Sequence, residues 1–261
     1  MTKTQLFLVL GAAVLVVILF QLPRSVVENE QLQEVTQTES HSMEIPQEVE
    51  TQINELRRLV EDEENIDKKA NFAHSLARRY LDYGVVDSAA RVAEDIDGWT
   101  NEPSELVADI YFTAYERSSG PEQAKKYAAE ARAVLQELLD KDPTNHFLKN
   151  RLAMTLVVSE NPMAGIGMLR EILAQDETNR QAILNLGLLA IQSGQFERAR
   201  ERFENLVSMD AGDYEAKLYL AVSLMEINQQ SQARLLLEEI LATQDSIPAI
   251  KMMASDYLSG L

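Results

Sequence analysis

The residue types able to do chemistry are few in this sequence and poorly spaced for it. The three histidines, His41, His74 and His146, stand far apart, and none sits in an HExxH or comparable ligand spacing. With no cysteine there is no thiolate ligand, no thiol nucleophile and no disulfide. Asp210–Ala211–Gly212–Asp213–Tyr214–Glu215 has acids spaced like the start of a calcium loop. It is too short for one, and it falls where a turn and a helix N-cap belong. Glu61–Asp62–Glu63–Glu64 reads as the solvated end of a helix. Gly165–Ile166–Gly167 lacks the strand–loop–helix setting of a phosphate loop. No nucleophile–base pair can be assembled from these residues. The sequence therefore predicts no catalytic residue, no cofactor and no metal site.

The elements that would position any site come next. The chain has 261 residues, 42 acids against 24 bases, and a formal charge of −18. Such a chain repels nucleic acid, which excludes it as a partner class. Glycine and proline are sparse, at 10 and 7, and the bulk of the sequence is built from strong helix formers. An all-α fold follows.

The N-terminus reads as a transmembrane signal-anchor over 1–23. QLFLVLGAAVLVVILFQLP, residues 5–23, carries no charge. Its apolar stretch from Leu6 to Leu22 would span about 26 Å as a helix, enough for a thin bilayer. The exit FQLPRSVVENE lacks the small-x-small site of a cleaved signal peptide. Lys3 and the terminal amine before the run, against Arg24 after it, put the N-terminus in the cytoplasm and the body outside, in a periplasm. Residues 24–45 are polar and acidic and read as a flexible tether.

The body, 46–261, repeats with a period of 34. Leu186, Gly187, Ala190, Gly194, Ala199, Phe203 and Leu206 fall on Leu220, Ala221, Leu224, Asn228, Ala233, Leu237 and Ile240 when shifted by one period. The units are 146–179, 180–213 and 214–247. Two further hairpins precede them at about 66–98 and 103–145, and capping helices are expected over 47–63 and 248–260. In each unit small residues let two helices approach, Gly194 serves the turn, and Phe203 and Leu206 face inward. One hairpin cannot bury its apolar face alone, whereas stacked hairpins can.

This pattern resembles the tetratricopeptide repeat family, in Leu186–Gly187, Gly194–Gln195–Phe196, Ala199 and Phe203. Ile183, Ala190 and Ala211 depart from residues common in the family, and Gly165 replaces a helix-B alanine. The resemblance implies a right-handed superhelical α-solenoid whose first helices line a concave, partner-binding face. Mapped onto this sequence, that face consists of Phe147, Asn150, Met154 and Val157, then Gln181, Leu184, Leu188 and Ile191, then Glu215, Leu218, Val222 and Met225. It reads as mostly apolar, suited to an apolar helical or extended segment. No Lys or Arg stands at the mapped positions, which argues against a carboxylate clamp.

The function expected is a non-catalytic protein–protein interaction scaffold, anchored in a bacterial inner membrane by its N-terminal helix and serving a cell-envelope complex. Two alternatives stand beside it. One is a chaperone-like assembly factor, as in cytochrome c maturation or envelope protein quality control. The other is a self-associating structural protein, pairing through Met252, Met253, Leu258 and Leu261 at the C-terminal helix.

Overall fold

The computed structural model describes residues 45–100 and 102–261. The anchor at 1–23 and all but the last residue of the tether at 24–45 lie outside them. Among the described residues there are twelve helices and no strand. They are α1 Gln47–Asp62, α2 Ile66–Asp82, α3 Val86–Trp99, α4 Glu105–Glu116, α5 Pro121–Lys141 and α6 His146–Val157. There follow α7 Pro162–Gln175, α8 Arg180–Gln192, α9 Phe196–Met209, α10 Tyr214–Glu226, α11 Gln230–Ala242 and α12 Pro248–Ser259. No helix among the described residues is long and apolar enough to cross a membrane.

Local signals set the ends of these helices. Asn145, Asn179 and Asp213, one period apart, start α6, α8 and α10. Their side chains accept the backbone N–H of Leu148, Ala182 and Ala216 at 3.1, 3.1 and 3.0 Å. Each satisfies an N–H that has no partner inside its helix. The hairpin turns of α2–α3, α8–α9 and α10–α11 use Gly84, Gly194 and Asn228, all with φ between 62° and 71°. That left-handed conformation is cheap for glycine and tolerable for asparagine.

Packing then follows the chain. Each helix rests on the next, and first helices of successive hairpins also meet: α2 with α4, α6 with α8, α8 with α10, and α10 with α12. The close crossings are made by small residues. Ala77, Ala89, Ala93, Ala153, Ala199, Ala216, Ala221 and Ala233 are completely buried. At Gly165 a Cβ would collide with the Ala153 carbonyl oxygen and Val157, so glycine replaces alanine where α6 and α7 press closest. Between these crossings Leu81, Ile96, Leu135, Leu169, Ile172, Phe203, Leu206, Leu237 and Ile240 fill a core that runs along the stack.

One adjacent pair of first helices is missing from this pattern. α4 and α6 do not pack backbone to backbone as their counterparts do. The second helix between them, α5, is the longest described, at 21 residues. Across the gap α4 and α6 are tied by long side chains, and that gap positions the site described next.

Candidate partner-binding groove

A cavity of about 520 Å³ opens where α4 and α6 part, and it continues over α8 and α10. α4 contributes Phe112, Tyr115 and Glu116. α6 contributes Phe147, Asn150, Arg151 and Met154. Gln181, Leu184, Asn185 and Leu188 come from α8, and Glu215 and Tyr219 from α10. Four successive first helices therefore build one continuous wall.

Its centre is Arg151. The guanidinium lies 4.9 Å from the ring centroid of Phe112 and 4.5 Å from that of Phe147. This sandwich uses the attraction of a flat cation for aromatic faces. One amino group donates to Asp109 Oδ1 at 2.6 Å. The other oxygen of Asp109 is 2.8 Å from His74 Nε2 and 3.6 Å from Arg78. α2, α4 and α6 are thus joined through one carboxylate. Burial works to raise the Asp109 carboxyl, but the hydrogen bonds from His74 and Arg151 outweigh it and lower it to about 2. The Tyr115 hydroxyl donates to the Met154 carbonyl at 3.3 Å, a second tie across the gap.

A parallel arrangement joins α8 to α10. Arg180 donates to both oxygens of Asp213 at 2.7 and 2.8 Å and to Glu215 at 2.8 Å. Asp213 is therefore an ion-pair partner and an N-cap at once. Burial opposes its ionisation, yet Arg180 and the Ala216 N–H hold it below the usual carboxylate range. Asp210 accepts from the Gly212 N–H at 2.8 Å. The acids of 210–215 are thus spent on a turn, a cap and an ion pair. His146 meets Gln175 at 3.2 Å, and His41 lies outside the described residues. Among the described residues no cluster of three or more metal-ligating side chains occurs.

Asn150 is the polar residue with capacity to spare. It is 2 % exposed. Its amide donates to the His146 carbonyl and to Asn179 Oδ1 at 2.8 and 3.2 Å, while its own Oδ1 has no hydrogen-bond partner.

The residues mapped from the sequence divide into two groups. Phe147, Asn150, Met154, Leu184 and Leu188 line the groove, with Gln181 and Glu215. Val157, Ile191, Leu218, Val222 and Met225 do not. Leu218 is 1 % exposed in the core, and Ile191 and Met225 pack on that same core. Val157 turns toward Gly165 at the α6–α7 crossing. Val222 is half-buried on α10 away from the lining. The face is also less apolar than the mapping implies, because Glu116, Arg151, Asn185 and Glu215 stand in its wall. The cation present, Arg151, is already held by Asp109, so it offers no open carboxylate clamp.

The mapping passed over Phe112, Tyr115, Arg151, Asn185 and Tyr219. Three of them were within reach of the period, since 151, 185 and 219 are 34 apart and all line the groove. The α4 residues were not, because their hairpin is longer than one period. At the C-terminus, Met253, Leu258 and Leu261 pack onto the core, and Met252 alone of the four is largely exposed.

The architecture is that of an all-α helical-repeat solenoid. A family model described as the tetratricopeptide repeat matches residues 190–256. A search of curated proteins finds no match. Among solved structures the chain is similar to a thermophilic tetratricopeptide-repeat protein of Thermus thermophilus. The identity is 18 % over 68 % of this chain and 91 % of that one, with a TM-score of 0.52. It is also similar to a tetratricopeptide-repeat protein from Parabacteroides merdae, at 14 % identity over 81 % of this chain and 82 % of that one, with a TM-score of 0.53. The described body thus has the tetratricopeptide-repeat fold.

Proposed function

We propose that this protein is a non-catalytic scaffold, anchored in a bacterial inner membrane, whose groove holds a segment of a partner protein in a cell-envelope complex. The observation that carries the reading is the groove itself. Four helices present the rings of Phe112, Tyr115, Phe147 and Tyr219 beside Met154, Leu184 and Leu188. Rings and aliphatic side chains would take apolar side chains of an extended or helical segment. The anchor rests on the charge-free run at 5–23, and the periplasmic placement of the body on Lys3 and Arg24.

Crosslinking the full chain in its native membrane and identifying what is retained tests this. One or two partners at fixed stoichiometry are expected. They should be lost in Leu188→Glu while helical ellipticity is kept. Retention in Leu188→Glu would remove the groove as the binding site. A broad set of weakly held envelope proteins would point to the chaperone-like alternative. Protease added to spheroplasts should digest the body from outside; a body protected until lysis would reverse the orientation.

A further inference from the structure

A second cluster of charge lies away from the groove, along the seam between the second helices α7 and α9. Arg170 of α7 and Arg198 and Arg202 of α9 line one recess of about 70 Å³. Its floor is apolar, from Ile166, Leu186 and Leu189, and Ser193 and Gln195 stand at its rim. Among the described residues no carboxylate comes within 4.0 Å of any of the three guanidinium groups. The one hydrogen bond they make is from Arg198 to Gln195 at 2.6 Å. Three cations thus share one recess, none of them in a direct ion pair, in a chain whose formal charge is −18.

The strain of that arrangement shows on Arg202. Burial first, and then the charges of Arg170 and Arg198, push its guanidinium down from its ordinary value. Glu201 acts in the opposite direction, but it is the smallest of these influences and offsets them only in part. Arg198 and Arg202 also line a broader cleft that holds Glu177 and Glu201, with Leu173, Ile183 and Asn205. Like charges over a low-dielectric floor repel more strongly than they would in water. An anion placed among them removes that repulsion and gains hydrogen bonds from planar, bidentate donors.

We infer that the Arg170–Arg198–Arg202 recess is a binding site for one compact phosphate-type oxyanion. The recess is small, with room for a compact tetrahedral group between the three guanidinium groups. Three guanidinium groups favour a doubly charged anion over a carboxylate. Glu177 and Glu201 beside the site disfavour a second anionic group, so a polyanion such as nucleic acid fits poorly. Free phosphate and a phosphorylated side chain of a partner share the required chemistry.

The test is thermal unfolding of the full chain in detergent, followed by ellipticity at constant ionic strength, with added inorganic phosphate, a phosphoserine peptide or acetate. Phosphate should raise the melting temperature saturably, by roughly 3 °C at a tenfold excess over its dissociation constant. Acetate should not. The response should vanish in Arg170→Gln/Arg202→Gln with ellipticity retained. If that double variant does not fold, Arg198→Gln serves in its place, since its guanidinium is exposed and holds only Gln195. A larger effect from the phosphoserine peptide than from phosphate would assign the site to a modified partner, and the reverse would assign it to the free ion. An equal response to acetate, no response at all, or a response that survives the substitutions would overturn the site.

Discussion

The ring of Phe203 lies against the backbone of Gly187, so closely that a Cβ at 187 would stand 2.6 Å from the ring's Cζ. Phe203 is wholly buried, and its ring neighbours that of Tyr219, with centroids 5.6 Å apart. Tyr219 in turn lines the groove, as does Leu188, the residue after Gly187. One missing side chain on α8 therefore sets the depth of the aromatic on α9 and, through it, the position of a groove wall on α10.

Gly187→Ala should lower stability by about 1–3 kcal/mol, the usual cost of forcing extra volume into a filled core. Adding Phe203→Leu should recover part of that loss, because the smaller side chain makes room. Urea unfolding of the three proteins measures both. An additive double variant would show that the two residues do not share one space.

Asp109 should give the protein an acid-sensitive joint. Its folded carboxyl is lowered to about 2, below an unfolded value near 3.9. A depressed value contributes stability that is present above about pH 4 and is lost as the pH falls from there toward 2. The amount is about 2 kcal/mol. Asp109→Asn should cost about that much at pH 7, and the gap between variant and parent should close by pH 2. A gap constant with pH would mean that the loss is packing alone.

Gly194 and Asn228 occupy the same turn position one period apart, at φ 71° and 62°. Gly194→Ala should cost about 1–2 kcal/mol, the penalty of an ordinary side chain in the left-handed region. No neighbour lies close enough to add a clash. Asn228→Gly should stay within about 0.5 kcal/mol of the parent. Chemical denaturation decides it; equal costs at the two sites would show that backbone conformation is not the cause.

Lys217 is 4 % exposed, and its ammonium meets Glu239 at 2.5 Å. Glu239 itself is half open to solvent. Removing the acid strands a buried cation, whereas replacing the cation with an apolar chain removes the need for a partner. Glu239→Gln should therefore destabilise by about 1–2 kcal/mol, and Lys217→Met by less. The opposite order in thermal unfolding would show that the pair is net stabilising.

Much of the fold was legible because it depends on neighbours in sequence. Asn145, Asn179 and Asp213 cap helices wherever the chain goes next, and Gly194 turns on its own backbone freedom. The alternation of Ala199, Phe203 and Leu206 marks an inward face before any partner helix is known. The groove was legible in part. Phe147, Met154 and Leu188 follow from the period, and Arg151, Asn185 and Tyr219 could have been found by applying the same 34-residue shift to 151.

By itself the sequence determined the all-α class, the repeat and the helix ends, since capping, φ preference and helical periodicity act within a few residues. Only the tertiary structure decided which residues of the repeated face see solvent. Phe147, mapped to the same face, is 59 % exposed, while Leu218 is 1 % exposed in the core. The groove opens at α4 and α6, where the intervening helix is the longest described and the two first helices do not pack closely. The arginine recess arises in the same way, from side chains 28 and 32 positions apart brought to one seam. These are properties of how hairpins stack, and the free energy of stacking is shared among residues distant in sequence.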